Sequence, residues 1–287
     1  RRATITSQIE HHAILHACES IERLGYPVAY LPVDNEGIVS PDILSSFITD
    51  ETRLVSVMLV NNEIGTIEPI SELAKVAHSH GAVFHTDAVQ AVGHIAINVK
   101  ELGVDMLSAS AHKFNGPKGI GFIYIKSGTK IYPYADGGAQ EHGMRAGTEN
   151  IASIVGMAAA LKKNCDHMDQ TQNKLHQLED KFLDVLKLSG IDFTRNGSAN
   201  HIPGNVNVSI RNASGEMLLH RLDLKGIAIS TGSACDSVNT QVSHVIQAIR
   251  VPKEYAHGTI RVSFGRDNEE SDAVEIAKAI VDILKTK

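Results

Sequence analysis

The sequence has little of several things that would mark other classes of protein. It contains no tryptophan and only three cysteines among 287 residues. A small and odd number of cysteines argues against a disulfide framework and favours a reducing compartment, so we expect a cytoplasmic protein. No apolar run approaches the roughly 20 residues that a membrane-spanning helix needs, and no signal peptide is visible.

An excess of positive charge is also absent. Lysine and arginine together number 27 against 33 aspartates and glutamates, which gives a formal net charge of −6, and the basic residues are not clustered. We therefore expect no direct electrostatic binding to nucleic acid or to an anionic membrane. The hydrophobic content of 43% is high enough for a real core, in one large domain or two modest ones.

The most informative segment that is present spans residues 108–119, with the sequence SASAHKFNGPKG. It places His112 and Lys113 directly after an apolar run that is typical of a buried strand. A lysine amine loses its charge readily when it is desolvated and can then form an imine with a carbonyl cofactor. The alternative is a surface lysine in a glycine-rich turn, and this segment alone does not decide between the two.

Two other apolar runs end in polar clusters in the same way. The run 53–60 stops at Asn61, and the run 81–86 stops at Asp87. Residues 70–80 between them have helical periodicity, so strands alternate with helices and the sheet is predicted to be mostly parallel. In such sheets, ligands bind outside the carboxyl ends of the strands. We therefore expect all three polar clusters to face one crevice.

This edge of the sheet offers what a pyridine-aldehyde cofactor needs. Such a cofactor requires an amine to hold its aldehyde, a carboxylate to keep its ring nitrogen protonated, and a donor to its phenolic oxygen. Lys113, Asp87 and Gln90 are of the right types. Asp87 could instead cap a helix, which is a common role for an aspartate after a strand. With Lys113 on a neighbouring strand end, we favour the cofactor interpretation.

Seven segments, in family order, resemble those of the NifS/IscS-type cysteine desulfurases, pyridoxal-phosphate enzymes of the aspartate-aminotransferase fold. They are 6–12 (TSQIEHH), 60–65 (VNNEIG), 85–90 (HTDAVQ), 110–119 (SAHKFNGPKG), 143–148 (GMRAGT), 230–235 (STGSAC) and 260–265 (IRVSFG). The resemblance implies an α/β fold with a mostly parallel sheet, flanking helices and a smaller C-terminal α+β domain. It also implies pyridoxal 5′-phosphate as the cofactor and L-cysteine as the substrate.

The pattern of the chain changes after about residue 150, so we predict two domains. Residues 1–150 are expected to be the large cofactor-binding α/β domain, and residues 151–287 the small α+β domain. The predicted elements of the second are helices at 151–161, 166–188, 215–224, 243–249 and 269–284 and strands at 205–210, 228–231 and 259–263. By the resemblance, relatives carry an upstream block with a turn that binds the cofactor phosphate. We expect this chain to lack that block.

Cys235 carries the argument for a specific reaction. It lies in a small, polar stretch, residues 230–241, whereas Cys18 and Cys165 lie in amphipathic helical contexts where we expect them to be structural. A thiolate that takes sulfur from a bound substrate and delivers it to an acceptor protein has to travel. By the resemblance, Cys235 is the residue that becomes the persulfide.

The residues around this cysteine favour mobility. Residues 234–241 contain no large apolar side chain except Val238, so they bury too little surface to offset the entropy of ordering. The uninterrupted length from Cys235 to Ser243 is similar to that of the long-loop branch of the family. That branch serves iron–sulfur assembly and tRNA thiolation, so the implied sulfur acceptors are an iron–sulfur scaffold or a tRNA-thiolation enzyme.

The resemblance assigns the remaining roles position by position. His11 matches the histidine that stacks on the pyridine ring and shuttles protons. Asn62 and Arg261 match the positions that clamp the substrate carboxylate, for which a bidentate guanidinium is well suited. An ordinary strand-edge arginine is the alternative for Arg261. Lys113 then releases the cofactor to the substrate and helps to remove its α-proton.

A second group of residues is implied in holding the cofactor phosphate. Ser110 and His112 match phosphate contacts, and Thr148 matches a contact to the neighbour's phosphate across a homodimer interface. His12 and His16, at i and i+4, have a spacing that could suit a metal. Since no adjacent glutamate or third ligand is in view, we predict no metal site.

The implied reaction converts L-cysteine to L-alanine and leaves a persulfide on Cys235. Another class V pyridoxal-phosphate enzyme, a selenocysteine lyase or an aminotransferase, would share Lys113, Asp87 and His11. An aminotransferase would have no need for Cys235 in a mobile segment. An inactive scaffold subunit is a further alternative, because the upstream block is expected to be missing.

Overall fold

The computed structural model describes residues 1–232 and 242–286. In the first part of the chain, strands alternate with helices. They are β1 (Ala3–Ser7), α1 (His12–Arg23), β2 (Val28–Leu31), α2 (Pro41–Phe47), β3 (Thr52–Ser56), α3 (Ile70–Ser79), β4 (Val83–Asp87), α4 (Val99–Leu102), β5 (Met106–Ser110) and β6 (Gly121–Ile125). A 3₁₀ helix, Ala111–Phe114, follows β5, and a second one, Gln140–Gly143, follows β6.

These strands form a six-stranded sheet in the order β2-β1-β3-β4-β5-β6. All neighbours are parallel except β6, which runs antiparallel to β5. The predicted mostly parallel sheet is therefore confirmed. Parallel neighbours share one carboxyl edge, so the segments that leave β1, β3, β4 and β5 emerge side by side.

Apolar side chains on one face hold this sheet against its helices. Ile5 lies beside Val55, and Val55 lies beside Phe84, each at most 1% exposed. Burying a side chain of this size contributes roughly 1.5–3 kcal/mol. Helix α3 turns a matching apolar stripe inward, with Ile70 and Leu73 buried at the i and i+3 positions that share one helix face.

The predicted strand at 53–60 is longer than the strand that forms. Strand β3 ends at Ser56, although the backbone amides of Val57 and Leu59 still donate to carbonyls of β4. The chain then turns because the Asn61 side chain accepts hydrogen bonds from the amides of Glu63 and Ile64, at 2.9 and 3.0 Å. An Asx turn of this kind competes with continued strand pairing.

The rest of the chain forms a smaller antiparallel sheet with long helices against it. Its elements are α5 (Ile151–Asp166), α6 (Met168–Leu188), β7 (Phe193–Arg195), β8 (Asn205–Ile210), α7 (Gly215–Asp223), α8 (His244–Ala248), α9 (Lys253–Ala256), β9 (Thr259–Ser263) and α10 (Glu270–Lys285). The sheet order is β7-β8-β9. Its buried residues form a second core, distinct from the core of the parallel sheet.

Two details differ from the sequence expectation. The strand predicted at 228–231 is wrong, because only Ser230 pairs with β9, through a single bridge to Arg261. Gly232 has a positive φ of 63°, a conformation that glycine adopts without strain. In addition, Val245 and Ile246 of α8 belong to the core of the parallel sheet, although they lie far beyond residue 150.

Candidate active site at the carboxyl edge of the parallel sheet

Four of the predicted site residues follow neighbouring strands at one edge of the large sheet. His11 follows β1, Asn62 follows β3, Asp87 ends β4, and Lys113 follows β5. Since β1, β3, β4 and β5 are consecutive parallel neighbours, these residues leave the sheet at the same edge. The topology thus fulfils the expectation that the polar clusters share one edge.

Asp87 is the buried carboxylate of this edge. It is 8% exposed, and its Oδ1 accepts a hydrogen bond from the backbone amide of Val89 at 2.9 Å. Burial raises the pKa of Asp87, while the Val89 amide and the charges of His11 and Lys113 act in the opposite direction. The three side chains are therefore close enough to influence one another, and Asp87 is suited to hold a cationic ring nitrogen.

His11 is the N-cap residue of α1, with a half-buried ring. Its Nδ1 accepts a hydrogen bond from the backbone amide of Ala13 at 3.1 Å. An accepting Nδ1 leaves the proton of the neutral ring on Nε2. Burial is the main cause that lowers the pKa of His11, so the ring is neutral at neutral pH. A neutral imidazole can stack on a flat ring and exchange a proton through Nε2.

Lys113 lies on the 3₁₀ helix Ala111–Phe114, whose two end residues are fully buried. The backbone carbonyl of Lys113 accepts a hydrogen bond from Nε2 of His94 at 2.8 Å. The next carbonyl, that of Phe114, accepts one from the Asn164 side chain at 3.1 Å. Lys113 itself is exposed. The backbone is thus fixed while the amine projects from the carboxyl edge.

The other predicted cofactor contacts lie on the adjoining turns. Ser110 is the last residue of β5 and is partly buried, and His112 is exposed beside Lys113. Gln90 lies in the turn after β4 and is partly exposed. Thr148 is exposed on the segment between β6 and α5. Within residues 1–232 and 242–286, no hydrogen bond links Thr148 to the other members of the site.

The two predicted substrate-binding residues contact each other across the two sheets. Arg261, on β9, donates through Nη1 to the backbone carbonyl of Asn62 at 2.7 Å and through Nη2 to Oγ of Ser230 at 3.3 Å. Its buried Nε has no hydrogen-bond partner among the described residues. Burial lowers the pKa of Arg261 and Glu63 opposes this, but a guanidinium stays charged. A carboxylate ligand would meet a partly buried cation whose Nε has no partner among the described residues.

Cys235 and the segment predicted to be mobile lie outside the described residues, since the structure omits 233–241. On either side, Ser230 accepts from Arg261, and Ser243 donates to Oε2 of Glu63 at 2.6 Å. The described residues on both sides of this segment therefore make hydrogen bonds at the predicted substrate site. Ser230 bonds to Arg261, and Ser243 bonds to Glu63, the neighbour of Asn62.

The other two cysteines differ in their exposure to solvent. Cys18 is 5% exposed, as predicted for a structural residue, and burial raises the pKa of its thiol to about 11. Cys165 is exposed, so the core interpretation is wrong for it. The reason lies in its helix: α5 has an apolar sequence but no buried residue within this chain.

Sequence reasoning missed two buried titratable groups under the site. Glu10 is fully buried, accepts hydrogen bonds from Ser7 Oγ and the Met58 amide, and has its pKa raised to about 8 by burial. His85 is held between Ser56 and Ser108 at 2.8 Å on each side, and burial lowers its pKa to about 4. Both residues lie inside segments that resemble the family, 6–12 and 85–90. This was the one signal in the sequence that could have identified them.

The two histidines whose spacing could suit a metal, His12 and His16, both lie on α1. The rings of His12 and His16 stack with centroids 5.1 Å apart, and His244 lies 4.9 Å from His12. Stacking places the two rings face to face, which does not aim their nitrogens at one point.

Elsewhere, among the residues that the structure describes, no helix combines the length and the apolar character needed to cross a membrane.

A lysine on a turn, a buried carboxylate and a histidine at one sheet edge define the site of an enzyme that uses a carbonyl cofactor. The Aminotransferase class-V model matches residues 1–276. Cysteine desulfurase IscS of Dictyoglomus turgidum is 49% identical over 286 residues, covering 98% of this chain and 73% of the relative. The solved structure of a NifS-like protein superposes with a TM-score of 0.92 at 34% identity, covering 100% of this chain and 76% of that one.

A third similar protein is SspA, whose solved structure is a complex with cysteine. It is 31% identical with a TM-score of 0.78, and the match covers 93% of this chain and 74% of that one. The chain therefore belongs to the class V aminotransferase family, in its cysteine desulfurase branch. It is a pyridoxal-phosphate enzyme, as members of this family are.

The residues present fit this cofactor. The buried Asp87 carboxylate suits a protonated pyridine nitrogen, the exposed Lys113 amine suits the aldehyde, and His11 has a neutral ring beside both. Gln90, Ser110 and His112 lie on the turns that border the same edge. The site is thus built by the β4 and β5 strand ends and completed by the start of α1.

Proposed function

We propose that this protein converts L-cysteine to L-alanine and transfers the substrate sulfur to Cys235, leaving a persulfide. One observation of the structure carries the proposal. Asp87, His11 and Lys113 meet at one carboxyl edge and influence one another's charge, while Arg261 of the second sheet bonds to Asn62 and has a buried Nε without a partner among the described residues. The similarity to enzymes named cysteine desulfurase supports the choice of substrate.

The roles of the chain's own residues follow from their positions. Bound pyridoxal phosphate supplies an electron sink for the bonds around the substrate α-carbon. The Lys113 amine holds the cofactor and then accepts the α-proton. Asp87 keeps a proton on the ring nitrogen, and His11 can exchange a proton through Nε2. Arg261 holds the substrate carboxylate, with Asn62 beside it.

The sulfur step is assigned to Cys235. Its thiolate attacks the substrate sulfur, a sulfur–sulfur bond forms, and the carbon–sulfur bond of the substrate breaks. The electron pair of the broken bond stays on the substrate carbon, which takes up a proton and leaves as alanine. The products are alanine and a persulfide on Cys235, so atoms and electrons balance without an outside oxidant.

The proposal also covers the organisation of the chain. Residues 1–150 are assigned to the cofactor-binding domain, and residues 151–287 to a small domain that contributes Arg261 and Cys235. The hydrogen bond from Nη1 of Arg261 to the backbone carbonyl of Asn62 joins the two. Thr148 is assigned to the phosphate of a neighbouring subunit, and its exposure on a polar segment supports that role.

The wider setting completes the proposal. The sulfur acceptor is an iron–sulfur scaffold protein or a tRNA-thiolation enzyme, and the protein works in the cytoplasm as a homodimer. A low cysteine count supports a reducing compartment. The name IscS of several relatives supports the acceptor class.

One assay separates this function from its rivals. The cofactor-loaded protein is incubated with L-cysteine and a thiol reductant, and alanine, sulfide and keto acid are measured. Equal amounts of alanine and sulfide are expected, whereas keto acid would indicate an aminotransferase. Absence of a cofactor absorption band in the near-visible range would indicate a scaffold subunit.

The Cys235→Ser variant tests the sulfur step itself. It should keep the cofactor and its spectral response to L-cysteine, since a serine preserves size and polarity, but it should release no sulfide. Cys165→Ser, an exposed cysteine away from the site, is the matched control and should leave sulfide release unchanged. A Cys235→Ser variant that releases sulfide at the parental rate would contradict the assignment.

A further inference from the structure

A second group of ligand-type side chains lies outside the active site, in the smaller unit. His176 and Glu179 lie at i and i+3 on α6, and His201 lies on the segment between β7 and β8. One ligand atom from each of the three lies within 4.8 Å of the others. Residues three apart on a helix share one face, so α6 presents both of its donors to His201.

The hydrogen bonds of His201 fix which of its nitrogens is available. Nδ1 lies 2.9 Å from the backbone carbonyl of Ala199, and a carbonyl only accepts, so Nδ1 carries the proton. The contact of Nδ1 with Nη1 of Arg195 is longer, at 3.4 Å, and is the weaker of the two. A neutral His201 ring therefore has its lone pair on Nε2.

That lone pair points into a buried place. The His201 side chain is only 10% exposed, and its Nε2 lies 2.8 Å from Oε1 of Glu179. Even so, Nε2 makes no hydrogen bond with any described residue. In the neutral ring with its proton on Nδ1, this contact places two acceptor atoms 2.8 Å apart, and a cation shared by the two would make it favourable, whereas in a protonated ring the same contact is an ion pair.

We propose that His176, Glu179 and His201 bind a divalent transition metal of the zinc class. Two imidazoles and one carboxylate are the donor set of many zinc sites with an open fourth position, whereas calcium and magnesium prefer oxygen alone. The bond from Nδ1 of His201 to a backbone carbonyl is the outer contact that usually orients a metal-binding histidine. His176 is exposed, which gives the ion a path from solvent.

Arg195 is the group that opposes this site. Its Nη2 forms an ion pair with the same Oε1 of Glu179, so its charge repels a bound ion. The carboxylate still has lone pairs to offer, because each oxygen carries two and, among the residues that the structure describes, only the Gly204 amide engages Oε2, at 3.3 Å. Removing the guanidinium would leave the buried Glu179 without its arginine partner, and so more strongly dependent on the metal.

The position of His201 indicates which parts of the chain a bound ion would connect. His201 forms a β-bridge with Thr66, and the neighbouring Ile202 amide donates to the Gly65 carbonyl at 2.9 Å. These residues belong to the turn that also carries Asn62. A metal at His201 would therefore fasten α6 to the segment that packs on this turn. The inference does not depend on the proposed reaction.

The test is zinc binding to the cofactor-loaded protein, followed by calorimetry and by the visible absorption of a cobalt substitute. His201→Ala and His176→Ala should each weaken zinc binding at one site by at least about tenfold. The matched control is His220→Ala, because His220 forms a solvent-exposed pair with Glu216 at i and i−4, 3.9 Å apart, and should change nothing. Other histidines are the same in every variant, so the differences isolate this cluster.

Two results would overturn the proposal. One is a His176→Ala variant, changed only at an exposed position and therefore expected to fold, that binds zinc as the parent does. The other concerns Arg195→Met, which should tighten zinc binding by about tenfold or more because a competing charge is gone. Unchanged or weaker binding in that variant would show that Glu179, Arg195 and His201 form only an ion-pair network.

Discussion

Lys113 and Lys118 belong to one short segment, but their surroundings differ. Lys113 lies on the 3₁₀ helix after β5, with its carbonyl held by His94, whereas Lys118 lies beyond Pro117 in an exposed turn. We therefore expect the cofactor on Lys113. Borohydride reduction followed by peptide mass mapping should find the adduct there, and Lys113→Ala should abolish the near-visible band while Lys118→Ala retains it. The opposite pattern would refute this assignment.

A buried carboxyl group predicts a pH dependence of stability. Glu68 is 3% exposed, and its Oε2 accepts a hydrogen bond from the Val39 amide at 2.9 Å. Burial raises the pKa of Glu68 from 4.5 to about 8. The folded state thus keeps a proton that the unfolded state releases, so this contribution to stability is complete below pH 4.5 and is lost as the pH rises towards 8.

The substitution Glu68→Gln should reduce this dependence. Glutamine can still accept from the Val39 amide and does not ionise, so the free energy of unfolding should fall less steeply between pH 5 and pH 8 than it does in the parent. Some slope should remain because burial raises the pKa of Glu10 to about 8 as well. Urea unfolding at a series of pH values measures the effect. An unchanged slope would mean that Glu68 is ionised in the folded protein.

At the residue scale, the sequence predicted residues that stand in a recognisable local pattern, and it missed titratable residues whose properties depend on burial. The positions of Asp87 and Lys113 at strand ends were predicted because an apolar run followed by polar residues is visible in the sequence, and their roles stay a prediction. Glu10 and Glu68 were not, because a carboxyl group buried by residues distant in sequence has no local pattern. Cys165 failed for the same reason, since an apolar helix sequence does not say what covers the helix.

At the scale of elements, the end of α5 supports the turn that bears the lysine. Asn164 donates to the Phe114 carbonyl at 3.1 Å, next to the Lys113 carbonyl that His94 holds. Asn164→Ala should loosen this turn, so we expect faster loss of the cofactor on dialysis, by roughly threefold to tenfold for one hydrogen bond of about 1 kcal/mol.

The control for this variant lies on the same helix. Lys162→Ala removes an exposed ion pair with Asp166 and should leave cofactor retention unchanged. Dissociation is followed by the decay of the near-visible band, with circular dichroism to verify that both variants are folded. Equal retention in the parent and in Asn164→Ala would show that the turn is held without this contact.

At two places the observed strand boundaries differ from those predicted from the sequence. The long apolar run at 53–60 predicted one strand, but regular strand geometry ends at Ser56, and the Asn61 turn ends the run after the amides of Val57 and Leu59 have still donated to β4. The stretch 228–231 was predicted as a strand, yet only Ser230 pairs with β9, through a single bridge to Arg261. In both cases hydrogen bonds to particular partners decided the outcome over a propensity that favoured extension.

At the scale of the molecule, two cores are joined by the chain that passes between them. The segment after β7 packs on the turn around Gly65, and α8 returns to the core of the parallel sheet. Arg261 from the small sheet and Asn62 from the large one meet between these cores. Composition and periodicity predicted both layers, but not this return, because it depends on contacts between residues far apart in sequence.

The last prediction concerns the assembly. Helix α5 carries Ile151 and Val155, each 62% exposed, and Tyr132 and Tyr134 nearby in sequence are 96% and 99% exposed. A helix with an apolar sequence and no buried residue, preceded in the chain by a segment with two exposed aromatic rings, is typical of a surface that a second subunit covers. We expect a homodimer that uses this surface, with the segment bearing Thr148 at its border.

Charge placed on this surface should separate the subunits. Val155→Glu would bury an unpaired carboxylate in the interface, so sedimentation velocity should show a shift from dimer to monomer and a loss of bound cofactor in proportion. Leu188→Glu is the matched control, because Leu188 is 88% exposed at the far end of α6 and should leave the dimer intact. A parental protein that sediments as a cofactor-loaded monomer would contradict both the interface and the role given to Thr148.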